Sequence, residues 1–249
     1  MKVSVCIATY NGEKYIVEQL TSILNQIGRD DEVIVSDDHS SDRTIEFINS
    51  LDDYRVKVIL NNGEKGYTSN FENALLNSTG EIIFLSDQDD IWLPGKYEVV
   101  VKHLEKYDLV VTNSKVTDEN LNVTHHSFFA LYHSRKGIVK NLINNTYYGS
   151  CMAFRKSVLN YALPFPKDRK VGFDIWIGLV AEITGKVFFL PEPYLLYRKS
   201  AASVTVVGNN LLTRSNNPLS EKIIKRLIIM YYFSVFYVKY KFGKKEINF

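Results

Sequence analysis

Three carboxylates crowd the end of one apolar run: in FLSDQDDIWLP, residues 84–94, Asp87, Asp89 and Asp90 fall within four positions before the chain turns apolar again. Two like charges about 4 Å apart repel by roughly 1 kcal/mol in water and about 4 kcal/mol at an effective dielectric near 20, so such a cluster calls for protons or a cation. Oxygen ligands with no His or Cys nearby in sequence suit a hard divalent ion, Mg²⁺ or Mn²⁺, usually shared with phosphate oxygens. The bland alternative makes the acids a cap for the helix that Pro94 would open, and Asp90 fits that use best. A second acidic pair, Asp37-Asp38, ends another apolar run. Asp38 could accept hydrogen bonds from a pyrimidine imide or a ribose hydroxyl, while Ser41 and Asp42 read as turn and cap residues. The glycine-rich phosphate loops of P-loop NTPases and Rossmann dehydrogenases are both missing, which argues against those classes.

The elements that must position these acids are legible as short β-branched runs. Val3–Ala8, Glu32–Ser36, Val56–Leu60 and Glu81–Ser86 read as parallel strands buried on both faces. Helical patterns separate them: Ile16, Leu20, Ile23, Leu24 and Ile27 share a face, Ser69 and Glu72 form a capping-box signal, and Tyr97, Val100, Val101 and Leu104 follow Pro94. The order predicts an α/β fold with a mostly parallel central sheet flanked by helices, whose ligands gather beyond the carboxyl ends of the strands. Thr9-Tyr10-Asn11-Gly12, Asp37-Asp38, Asn61-Asn62-Gly63 and Asp87-Gln88-Asp89-Asp90 all fall at that edge.

Composition narrows the partners. Thirty basic and 28 acidic residues give a net charge of +2, no case for nucleic acid. Residues 219–249 nevertheless hold seven Lys/Arg against two Glu, a basic, aromatic tail. Its Ile223, Ile224, Leu227, Ile228 and Tyr231 share a helical face opposite Lys222, Lys225 and Arg226, and Leu227 to Val238 is too short to span a bilayer. The tail therefore reads as a peripheral membrane contact, or else as a helix packed on the domain or in a homodimer. Cys6 and Cys151 read as buried, inert thiols. The N-terminus has no signal-peptide pattern, so the expected location is cytoplasmic, at the inner face of the plasma membrane.

Taken in order, VCIATYNGEKYI, VIVSDDHSSDRT, the stretch from Asn61 to Pro94, GSCMAFRKSVL, FDIW and LLYRKSAASVT resemble the family 2 glycosyltransferases, inverting enzymes of the GT-A fold. The resemblance runs over about residues 1–205, and SNFE with SDQDDIW is closest to the rhamnosyltransferase-like bacterial branch. It implies a catalytic domain over 1–218, with a nucleotide half (1–107) and an acceptor half (108–205). It also implies a nucleoside-diphosphate sugar donor, UDP- or dTDP-linked, and a saccharide or polyprenyl-linked acceptor in surface polysaccharide synthesis.

Residue by residue, the resemblance puts Thr9, Tyr10, Asn11, Asp37 and Asp38 around the base and ribose, with Gly66 and Asn70 nearby. Asp87 and Gln88 fall by the ribose or donor sugar, Asp89 on the metal, and Arg198 on the diphosphate. Asp174 becomes the general base, Trp176 an aromatic wall, and Gly149 and Ser150 part of the acceptor side. Ser200 stands where relatives often carry a His. Read alone, Asp174 is better explained as an N-cap or first-turn acid of its helix, and the order of the motifs is what favours the base. Two other functions use the same acidic edge: a metal-dependent phosphohydrolase or nucleotidyltransferase, and a nucleotide-sugar-binding subunit without catalysis.

Overall fold

A computed structural model describes residues 1–199 and 218–243. In chain order the elements are β1 (Val3–Thr9), α1 (Ile16–Leu24), β2 (Glu32–Asp37), α2 (Thr44–Asn49), β3 (Val56–Leu60), α3 (Tyr67–Leu76), β4 (Ile82–Asp87), β5 (Ile91–Trp92) and α4 (Lys96–Leu104). Then come β6 (Leu109–Thr117), β7 (Val123–His125), α5 (Phe128–Tyr132), α6 (Ile138–Ile143), β8 (Met152–Arg155), α7 (Leu159–Ala162), α8 (Phe173–Thr184), β9 (Val187–Arg198) and α9 (Leu219–Lys241). Ser200 and the end of the motif that contains it lie outside the described residues.

The strands form one sheet in the order β3-β2-β1-β4-β8-β6-β9-β5, with β7 paired to β6. β1 to β4 are parallel, as the βαβ alternation requires, and Val3, Val5, Cys6 and Ile7 of β1 are fully buried, as expected of a strand covered on both faces. Register aligns the strand ends: Thr9 pairs with Asp37, Ala8 with Asp87 and Asp37 with Leu60. The polar clusters thus share one edge. The second half is mixed, β8 running antiparallel to both β4 and β6, while β6 and β9 are parallel.

Two helix starts differ from expectation. α3 opens at Tyr67 behind Gly66, whose φ of 131° suits glycine, so Ser69 and Glu72 lie inside the helix. Glu72 instead accepts from the Phe165 amide at 2.8 Å. α4 begins at Lys96 behind Gly95 (φ 85°), two residues after Pro94, because Ile91 and Trp92 first pair with Leu196 and Leu195 of β9. Asp90 is therefore no cap of α4.

The tail forms a 23-residue helix, and none of the described helices is long and apolar enough to cross a membrane. Ile229, Phe233 and Phe236 are buried against the body, while Ile223, Ile224, Leu227 and Tyr231 are exposed. Four of the five residues on the face expected from the periodicity are thus exposed, while Ile228 of that face packs partly against the core beside the second apolar face. Phe236 meets Trp176 edge-on at 5.7 Å. Trp176 has no exposed surface and donates its indole N–H to the Ala162 carbonyl at 2.9 Å. It is a core residue rather than the aromatic wall expected beside a sugar, because its position in α8 faces α7 and α9. Trp176→Ala should cost about 3–5 kcal/mol in urea unfolding; a loss below about 1 kcal/mol would contradict this packing.

Candidate active site

The acidic loop hangs between β4, which ends at Asp87, and β5, which starts at Ile91. Arg198, at the end of β9, holds it in place. Its backbone N–H donates to Asp90 Oδ1 (3.0 Å), Nε to the Asp89 carbonyl (2.7 Å), Nη1 to the Glu119 carbonyl (2.8 Å) and Nη2 to Glu18 (2.5 Å), with the guanidinium 4.3 Å from the centre of the Tyr15 ring. A side chain so committed, and 4% exposed, secures the loop instead of reaching out to a diphosphate as expected. The pairing of β9 with β5 and β6 is what brings it beneath the acids.

Burial dominates the electrostatics of the loop. Desolvation and the charges of Asp89 and Asp174 push the Asp87 carboxyl up to about 7, with the Ser150 hydroxyl and Lys96 opposing. Burial also raises Asp89, against the pull of Arg198, and raises Asp90 well above the carboxylate range, Asp89 and Asp87 adding to it. Asp90 has no exposed surface, and its Oδ2 has no hydrogen-bond partner. From the core side the cluster meets Lys96, 1% exposed, whose Nζ donates to the Ser150 carbonyl (2.9 Å) and lies 4.6 Å from the Trp92 ring centre. Burial pulls this ammonium down to about 8, although Cys151, Asp90 and Asp87 favour its charge. Sequence reasoning missed Lys96. The available signal was its spacing, four residues before Val100 and eight before Leu104 on the buried face of α4.

Carboxyl oxygens with no His or Cys beside them are ligands for a hard divalent cation. Among the described residues no group of three His, Cys, Asp or Glu side chains is arranged to hold a metal ion; a cation at the loop would rest on Asp89 and on phosphate oxygens of a ligand, the usual habit of Mg²⁺.

On the nucleotide side several expected residues are tied to the framework. Asp37 is 1% exposed and accepts from the Ser40 amide (2.8 Å), the Ser40 hydroxyl (2.5 Å) and the Thr9 hydroxyl (2.9 Å), riveting β1 to β2. Thr9 is likewise 1% exposed. Asp38 accepts from Asn61 Nδ2 (2.8 Å) and the Gly66 amide (2.9 Å). Asn70 donates to the Thr9 carbonyl (3.0 Å), leaving its own Oδ1 buried without a partner. Gln88 exchanges hydrogen bonds with the Tyr10 backbone, accepting at 2.9 Å and donating at 3.2 Å. Gly12 makes room for it, since a Cβ there would lie 2.5 Å from Gln88 Oε1. The Tyr10 ring is exposed, and Asn11, at φ 48°, accepts from the Ser41 amide (2.9 Å).

Asp174 is the second residue of α8. Its Oδ1 accepts from the Ile175 amide (2.7 Å) and its Oδ2 from Asn145 Nδ2 (3.2 Å). Burial raises its pKa, opposed by those bonds and by Lys225 of α9. Its charge is felt at Asp87 and at the Tyr67 phenol, and the Phe173 ring beside it meets the Tyr67 ring edge-on at 6.1 Å. It is a first-turn acid of α8 whose field reaches the acidic loop. Gly149 and Ser150 differ from expectation. Both are buried, Gly149 beneath the Phe173 ring, where a Cβ would lie 2.6 Å from Cζ, and Ser150 under the acidic loop. They support the site from within instead of lining an acceptor surface.

The sign of the Asp87 shift gives a stability test. A carboxyl whose folded pKa is raised contributes stability that is complete below its unfolded pKa, about 3.9, and is lost as pH rises through about 7. Thermal stability of the ligand-free protein should therefore fall between about pH 4 and 7, and Asp87→Asn should flatten the slope. An identical slope in the variant would show that Asp87 is ionised throughout.

Comparison with known proteins identifies the family and the fold. The model of glycosyl transferase family 2 matches residues 4–162. Over 251 residues the chain is 26% identical to UDP-Glc:alpha-D-GlcNAc-diphosphoundecaprenol beta-1,3-glucosyltransferase WfgD of Escherichia coli, covering 98% of each chain. Among solved structures, Staphylococcus aureus TarS 1-349 in complex with UDP-GlcNAc superposes with a TM-score of 0.65 at 22% identity, over 82% of this chain and 62% of that one. The mannosyltransferase PcManGT of Pyrobaculum calidifontis, with GDP-Man and Mn²⁺, gives 0.55 at 21% identity, over 76% and 54%. These likenesses show the GT-A fold, and the family match places the chain in glycosyl transferase family 2.

Proposed function

We propose that this glycosyltransferase moves a hexose from a UDP-linked donor to a hydroxyl of a polyprenyl-diphosphate-linked saccharide, with inversion at the anomeric carbon. The observation that supports the reading is that the Asp174 charge is felt at Asp87 of the acidic loop, with Phe173 beside it packed edge-on against Tyr67 of α3 at 6.1 Å. The end-to-end likeness to an undecaprenol-dependent UDP-glucosyl enzyme supports this donor and acceptor class, and surface glycan assembly is the matching role. Residues 1–107 would bind the nucleotide and 108–205 the acceptor.

Asp38, with the Tyr10 ring and the unpartnered Asn70 carbonyl, holds the nucleoside. Asp87 lies beside the ribose or donor sugar, and Asp89 would hold Mg²⁺ or Mn²⁺. A cation bound there would offset charge on the departing diphosphate. The acceptor oxygen attacks the anomeric carbon from the Asp174 side, the bond to diphosphate breaks with its electron pair leaving on UDP, and Asp174 takes the acceptor proton. The diphosphate needs no proton to leave, so one base suffices. A raised carboxyl pKa brings that base nearer neutral pH.

Lipid-linked acceptors lie at a membrane surface, and the exposed Ile223, Leu227 and Tyr231 of α9 beside its Lys and Arg residues suit a peripheral contact with an anionic bilayer, expected at the cytoplasmic face.

With UDP-glucose and a GlcNAc-diphosphate lipid, Asp174→Asn should bind UDP normally and lose transfer by about 10²–10⁴-fold; near-normal turnover removes Asp174 from the reaction. Asp89→Ala should abolish the Mn²⁺ dependence of UDP binding in calorimetry, and affinity indifferent to Mn²⁺ in the parent enzyme would show that the loop holds no metal. Phosphate or pyrophosphate release without sugar transfer would favour a hydrolase.

A further inference from the structure

Helix α9 grips the two backbone segments that set Asp174. On one side Arg226 Nε donates to the Ile143 carbonyl at 2.6 Å, while its Nη1 donates to the Lys222 carbonyl one turn earlier at 2.7 Å, fixing the guanidinium on its own helix. Ile143 ends α6, and two residues later Asn145 donates to Asp174 Oδ2. Asn145 is held in one orientation, because its Nδ2 also donates to the Tyr147 carbonyl (3.1 Å) and its Oδ1 accepts from the Tyr147 amide (2.9 Å). On the other side Phe236 packs on Trp176, two residues after Asp174 in the same first turn of α8, where the Trp176 amide donates to the Gly172 carbonyl at 3.1 Å.

We infer that Arg226 and Asn145 are positioning residues for the base: α9 fixes the Ile143–Asn145 segment, and Asn145 aims the Asp174 carboxylate into the cleft. The inference rests on Asp174 being the base. It gives the tail a task within the transfer step, separate from any contact with lipid. A helix that served only as an anchor would have no need to hold Ile143, and its loss would be made good by an acceptor free in water.

The charged and titratable groups facing Asp174 are Tyr67 from α3, Asp87 from β4 and Lys225 from α9. Removing the Asn145 N–H, or letting it drift, takes a donor from the carboxylate and raises its pKa, so the acid limb of the rate profile must move to higher pH.

The test uses the full chain, UDP-glucose and a water-soluble GlcNAc-diphosphate carrying a short alkyl chain, with the Asp174 carboxyl also followed by carbon-13 NMR titration. Asn145→Ala and Arg226→Met should each lower kcat by about tenfold to a hundredfold with donor KM unchanged, and shift the acid limb and the Asp174 titration upward. Arg226→Lys, which can still donate to Ile143, should recover most of the rate. Arg226 is at the surface, so folding of its variants should match the parent by circular dichroism. An Arg226→Met enzyme with parental kcat, acid limb and titration overturns the inference. Near-normal turnover of Asp174→Asn overturns the base reading instead, and the titration in Arg226→Met still reports whether α9 sets that carboxylate.

Discussion

Confinement of three carboxylates at the end of β4 is the constraint around which the other parts are arranged. Asp87, Asp89 and Asp90 are drawn out of water by a strand that must be buried on both faces, and their mutual repulsion grows as the dielectric falls. The fold answers with two cations of different kinds. Arg198, always charged and able to donate in several directions, fixes the backbone of the loop. Lys96 supplies a point charge from the core, and its own ammonium is weakened by the same burial. The Asp174 charge reaches the same loop from α8 and acts in the opposite sense, raising Asp87.

The parallel half of the fold and its functional edge were legible in the sequence because both rest on local pattern. Each β-branched run ends abruptly in Thr, Asp or Asn, and parallel register brings those ends together. What could not be read were partnerships across long separations. Arg198 looked like a free phosphate ligand because its partners Glu18 and Asp90 lie 180 and 108 residues away. Trp176 looked like a sugar platform because nothing local shows that Phe236 and Ala162 enclose it. Lys96 was passed over since a lysine inside an apolar helix face is ordinarily counted as surface. Ser69 and Glu72 matched a capping box, yet Gly66 ends the preceding loop a turn earlier.

The tail shows the same limit in another form. Its sequence has two apolar faces, and periodicity alone cannot say which is covered. The structure buries Ile229, Phe233 and Phe236 and exposes Ile223, Leu227 and Tyr231. One helix therefore belongs to the core on one side and to the surroundings on the other, an arrangement in which forces on the outer face are transmitted to α6 and α8.

The hold of Arg198 on the acidic loop also has a temporal meaning. Strands β1 to β4 can assemble from the first 87 residues, but Asp90 receives the Arg198 amide only after the chain has been made through β9. During synthesis, and in any shortened chain, the nucleotide-side strands can be in register while the loop at their edge still lacks its fastening. Fastening of the acidic loop is thus deferred until the chain has been made through β9.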